Sequence, residues 1–148
     1  MRFDYTLYEG NRMPLVPVVF KHKNSRLPPI GALVDTGATH TILPLEIATE
    51  LDISVDLEDR LESQVAGGGL CFIYPSPVPI GYLLRDSAGH SEYQWHGQVF
   101  FAPGQPLVLL GHHQCLEKFD LTFKGPEKTV EMTPRSPTEA IGRTKQKR

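Results

Sequence analysis

The residues best suited to chemistry lie between positions 30 and 44. An apolar run, Ile30-Gly31-Ala32-Leu33-Val34, leads into a lone carboxylate, Asp35. A hydroxyl (Thr36) and a glycine (Gly37) follow at once. Then come Ala38, Thr39, His40 and Thr41, and a second apolar run, Ile42-Leu43, leaves. A carboxylate positioned at the end of a strand can give a proton to a bound reactant or take one from it.

Other groups fit their chemistries less well. Gly67-Gly68-Gly69 stands between two strand-forming segments, Gln64-Val65-Ala66 and Leu70-Cys71-Phe72-Ile73-Tyr74, and reads as a hairpin tip. A phosphate loop would need Gly-Lys-Ser/Thr and then a helix, whereas a strand-like run follows here. His112, His113 and Cys115, with Cys71, are possible zinc ligands by type only. Adjacent histidines diverge on a helix and the spacing matches no zinc motif, so neither a metal nor any other cofactor is expected. Nothing recommends Cys115 as a nucleophile. His40 reads as a surface or rim residue.

The elements around Asp35 point to an all-β chain. With 148 residues it is one domain by length, able to bury roughly two-thirds of its unfolded surface. Gly 13 and Pro 13 punctuate short apolar runs, the pattern of many short strands. Residues 1–12 alternate, with Phe3, Tyr5 and Leu7 on one face. Residues 14–20 are strand-like, but Pro14 and Pro17 assign them to a sheet edge. A basic turn at 21–29 then makes a hairpin into the Asp35 strand. Thr41-Ile42-Leu43 is a strand, and 44–51 a short helix with proline in its first turn. The acidic stretch 52–63 is a solvated face. Residues 78–84 and 92–101 are two further strands. Tyr93, Trp95, Val99 and Phe101 recur in twos as core, and no basic residues interleave with them as base stacking would require. Pro106–Gly111 is a buried strand and 112–119 a short helix. Phe119, Leu121 and Phe123 mark a half-buried strand, and Thr129–Thr133 returns from it as a hairpin arm.

With these elements in place, the chain resembles a retropepsin-like aspartic protease, the single-domain type of retroviruses, retroelements and bacteria. Three landmarks occur in order over roughly residues 14–124. They are the apolar strand with Asp35-Thr36-Gly37-Ala38, the glycine tip (Ala66, Gly67, Gly68, Gly69) matching the family's flap, and Leu109-Leu110-Gly111 matching its apolar-apolar-Gly strand. The resemblance implies an all-β, closed acid-protease barrel with one or two short helices, one lobe per subunit. It implies an aspartic endopeptidase with Asp35 as the catalytic residue. Asp-Thr-Gly occurs once, so the family pattern requires a homodimer in which two Asp35 carboxylates meet. It implies contact through the active-site loop and the terminal strands, either 1–8 or 129–133. Thr36 would brace the two loops, Gly37 permit the tight turn, Ala38 floor a subsite, and the flap cover an extended peptide or protein substrate. The rival reading is the same fold as a catalytically silent, dimeric peptide-binding module.

Two features depart from the family pattern. His112 and His113 stand where many viral members place arginine and then Asp or Asn, the arginine supporting the loop or the dimer. The stretch between Asp35 and the glycine tip is longer and holds the helix at 44–51, as in bacterial or retroelement relatives.

Residues 1–133 are expected to form the protease domain, and 134–148 a polar, basic, disordered tail. The net charge of -2 argues against a nucleic-acid partner. Two cysteines make no disulfide framework, no apolar h-region opens the chain, and no run approaches the ~20 residues of a membrane span. A reduced, cytoplasmic setting without membrane contact is expected.

Overall fold

The structure, a computed structural model, describes residues 1–65 and 67–138. Ala66 and most of the basic tail, 139–148, lie outside the described residues. The chain is nearly all β with one short α-helix. It opens with β1 (Arg2–Asp4), the small hairpin β2 (Thr6–Tyr8) and β3 (Asn11–Met13), and the long β4 (Leu15–His22). The short β5 (Ser25–Arg26) and β6 (Ile30–Val34) follow, then β7 (Ile42–Pro44) and α1 (Leu45–Glu50). β8 (Leu61–Gln64) and β9 (Leu70–Pro75) form a hairpin, as do β10 (Ile80–Arg85) and β11 (Glu92–Gly97). β12 (Phe100–Ala102), β13 (Val108–Leu110), a single 3-10 turn (Leu116–Lys118), β14 (Phe119–Lys124) and β15 (Thr129–Pro134) complete it.

A ten-stranded sheet runs in the order β11-β10-β4-β6-β13-β7-β12-β9-β8, with β5 paired to β4. A separate three-stranded sheet, β1-β15-β14, is built from the two ends of the chain. The core follows the period of two. Val16, Val18 and Phe20 of β4, Tyr93 and Trp95 of β11, and Val99 and Phe101 are all buried. Trp95 stacks on Tyr82 with centroids 4.5 Å apart, and Phe119 meets Tyr93 and Trp95 edge-on at 5.2 and 5.3 Å. The aromatics expected as core are core.

Residues 1–12 divide into β1, β2 and the start of β3, with Leu7 exposed, and the helix expected over 112–119 is only the 3-10 turn at Leu116–Lys118. Two further expectations need correction. β4 is an interior strand, with β10 on one side and β6 on the other. Pro17 is tolerated because the β10 ladder begins only at Val18, so its missing N–H falls beyond the paired stretch. The strand expected over 92–101 is broken in two. Gly97 packs against the Gln114 backbone, where a Cβ would come within 2.7 Å of the carbonyl oxygen. The Gln98 N–H bonds the Gln114 side chain (2.7 Å), and β12 crosses to pair in parallel with β7.

Candidate active site

Asp35 is positioned by three strands. β13 lies between β6 and β7, parallel to the strand that enters the Asp35 loop and antiparallel to the strand that leaves it. Val108 and Leu110 are buried, so this threading is held by the core. The ladder continues one bond past β6, with Asp35 N–H donating to the Leu110 carbonyl at 3.1 Å. Ala38 N–H then closes the turn on the Asp35 carbonyl at 3.1 Å. The Gly37 amide donates to Asp35 Oδ1 at 3.0 Å and so orients the carboxylate.

The segment after β13 is bonded to this loop. His112 N–H donates to the Ala38 carbonyl (3.0 Å), and His113 N–H to the Thr39 carbonyl (2.8 Å). The His112 ring nitrogen Nε2 lies 2.6 Å from the Thr36 carbonyl oxygen. A carbonyl only accepts, so Nε2 carries the proton. Beneath these, Gly111 N–H donates to the buried Thr41 hydroxyl at 3.1 Å. A Cβ on Gly111 would overlap the His40 backbone, so glycine is required there by close approach.

The loop borders a cleft of about 710 Å³ whose other wall is the β8–β9 hairpin. Leu61, Ser63 and Val65 of one arm and Cys71 and Ile73 of the other line it. Leu61, Ser63, Cys71 and Ile73 share one face, since Leu61 pairs with Ile73 and Ser63 with Cys71, and Glu62 and Gln64 of β8 also border the cleft. At the tip, Gly67 and Gly68 have φ of +96° and +86°, which glycine adopts without strain. A second groove, about 420 Å³, lies over Pro17, Leu27, Leu83 and two arginines, away from Asp35.

Asp35, Gly37, Ala38 and Leu109 all border the cleft. Thr36 is exposed, while Leu110 and Gly111 lie buried behind the loop. The glycines of the tip do not line the cleft; the arms below them do.

No family profile and no curated protein matches the chain. Among solved structures, the chain is similar to EIAV protease complexed with the inhibitor HBY-793. The likeness has 16% identity, covers 72% of this chain and 88% of that one, and has a TM-score of 0.45.

Several cleft residues escaped the sequence reading: Ile42, Leu61, Ile73, Ala102 and Gln105. They are spread along the sequence, and only strand pairing brings them to the cleft that Asp35 borders. His40 also lines the cleft, with its ring 4.5 Å from Phe100 and 6.0 Å from His113. Its Nδ1 is buried and has no hydrogen-bond partner among the described residues. Burial first, and the neighbouring His113 second, hold its imidazole below the ordinary range. Cys71 is a half-buried free thiol on the cleft wall. Cys115 is buried, and burial pushes its thiol up to about 12, which keeps it protonated and inert. Among the described residues no three His, Cys, Asp or Glu side chains are grouped to hold a metal ion, and no helix is long and apolar enough to cross a membrane.

Proposed function

We propose that this chain is an aspartic endopeptidase that acts as a homodimer, with Asp35 of each subunit at one shared site. The observation that carries this reading is the placement of Asp35. It stands at the end of a half-buried strand, its carboxylate held by the Gly37 amide, on the border of a peptide-sized cleft walled by a hairpin. One chain supplies one Asp-Thr-Gly, so a second copy supplies the other carboxylate.

Two carboxylates held close together share one proton, because both cannot ionise. The ionised member takes a proton from water, and the protonated member polarises the scissile carbonyl. Their roles reverse as the bond breaks. Thr36, exposed beside Asp35, braces the partner loop, and Ala38 floors a subsite. The peptide lies extended along the hairpin as an added strand. Its apolar side chains meet Leu61, Ile73, Ile42 and Leu109. The tip, 67–69, closes over it and excludes water other than the attacking molecule. Residues 1–133 form the catalytic domain in this reading.

The test is Asp35→Asn against wild type, with a peptide library from acidic to neutral pH. Wild type should cleave, and the variant should lose about 10³-fold or more of that activity while still binding peptide. If both are inert and both bind, the chain is a peptide-binding module instead.

A further inference from the structure

The terminal sheet ends in an unpaired edge. β15 is bonded on both sides, to β1 and to β14, so the terminal strands β1 and β15 satisfy one another within one chain. This leaves β14 as an outer strand with no partner beyond β15 among the described residues.

The alternation of an antiparallel ladder decides which backbone groups of β14 face outward. On β15, Met132 N–H donates to the Met1 carbonyl (2.9 Å), and further along the Tyr5 N–H donates to the Lys128 carbonyl (2.8 Å). The even-numbered residues of β15 therefore turn their backbone towards β1. Leu121 lies opposite Met132 and Phe123 opposite Val130. Leu121 and Phe123 thus present unused N–H and C=O groups at the outer edge. Their side chains share a face with buried Phe119, and Phe123 at the edge is 42% exposed. Asp120, Thr122 and Lys124 occupy the other face.

We propose that the occupant of this edge is a second copy of the chain, with β14 pairing antiparallel to the partner's β14 about a two-fold axis at Thr122. An axis between two residues would set outward-facing groups against inward-facing ones, so the axis must pass through a residue. Centred on Leu121, the pairing sets Lys118 against the partner's Lys124. Centred on Phe123, it brings no opposite charges together. Centred on Thr122, it sets Asp120 against the partner's Lys124 and Leu121 against the partner's Phe123. All four outward N–H and C=O groups of Leu121 and Phe123 are then bonded, and the exposed Phe123 ring gains an apolar neighbour. Asp120 already pairs with Arg135, and Lys124 with Glu131 at 2.8 Å. The association joins these pairs into one row of alternating charge. The result is a six-stranded sheet made without exchange of strands. The inference rests on the homodimer reading for the need of a second copy, but association tests it whether or not peptide is cleaved.

The experiment uses Asp120→Lys and Lys124→Asp, each alone and then mixed, with sedimentation measured over a range of concentrations. Each variant alone sets like charges across the axis twice, and its dimer should weaken by about tenfold or more. Mixed, the two chains are complementary at both positions, so a heterodimer should form where neither variant self-associates. Rescue by mixing cannot come from folding, and thermal unfolding of each variant checks its integrity. A wild type monomeric at every concentration, or a dimer indifferent to both variants and to mixing, overturns the inference. Peptide cleavage by a dimer indifferent to both variants would leave the protease reading standing without this interface, whereas a strict monomer would remove both. Charge-dependent dimers that cleave nothing would do the reverse.

Discussion

His112 Nε2 donates to the Thr36 carbonyl at 2.6 Å, joining the turn after β13 to the loop that carries Asp35. An imidazole thus reaches the Asp35 loop directly. With the backbone bonds of His112 and His113 to Ala38 and Thr39, it makes three ties between two segments over seventy residues apart in sequence.

The side-chain tie is testable by a donor series. His112→Ala should destabilise the fold by about 1 kcal/mol, the usual net worth of such a bond, and lower peptide turnover more than peptide binding. His112→Gln keeps an N–H donor and should recover part of both. Urea unfolding together with kcat and KM reads the outcome. Equal behaviour of the two variants would assign the ring to packing alone.

The Thr41–Gly111 contact should tolerate less. The hydroxyl is 1% exposed and accepts the Gly111 N–H. Thr41→Val keeps the shape and removes the acceptor, leaving a buried N–H unmet at a cost of about 1–3 kcal/mol. Gly111→Ala drives a methyl into the His40 backbone and should cost about 3 kcal/mol or more. Denaturant midpoints measure both, and a neutral Gly111→Ala would contradict the described packing of loop on strand.

His40 predicts a pH dependence with a definite sign. Its imidazole is held below its ordinary value of about 6.5, by burial first and by His113 second. The unfolded chain therefore binds this proton more readily than the folded chain. Stability rises with pH through the window up to about 6.5 and falls as pH drops below it. The structural reason is the buried Nδ1, which would hold a proton with no acceptor. Unfolding curves at several pH values between 5 and 8, for wild type and His40→Phe, should show the wild type losing more on the acid side. Parallel losses would remove His40 from the cause.

Much of the site is local and therefore legible. Asp35, Thr36 and Gly37 are consecutive, and the Gly37 amide reaches the carboxylate two residues back. A hairpin tip of glycines needs only its own φ angles, and the helix at 45–50 needs only its proline start and buried Ile47 and Ala48. Strand partners are a different matter. Pro17 marks an edge by its chemistry, yet it lies in an interior strand because the neighbouring ladder starts one residue later. Gly97 breaks a strand because Gln114, distant in sequence, occupies the space a side chain would need.

The sequence by itself determined where the carboxylate stands, that short strands deliver it, and that one chain carries only one such motif. These depend on residue type and on periods of two, which act over a few positions. Tertiary structure decided that β13 threads between β6 and β7, that the β8–β9 hairpin walls the cleft Asp35 borders, and that His112 reaches Thr36. It also decided that β1 pairs with β15 and that β14 has no outer partner among the described residues. Those outcomes depend on which distant apolar faces bury one another and which backbone groups find partners, and the free energy of that choice is shared across the whole sheet.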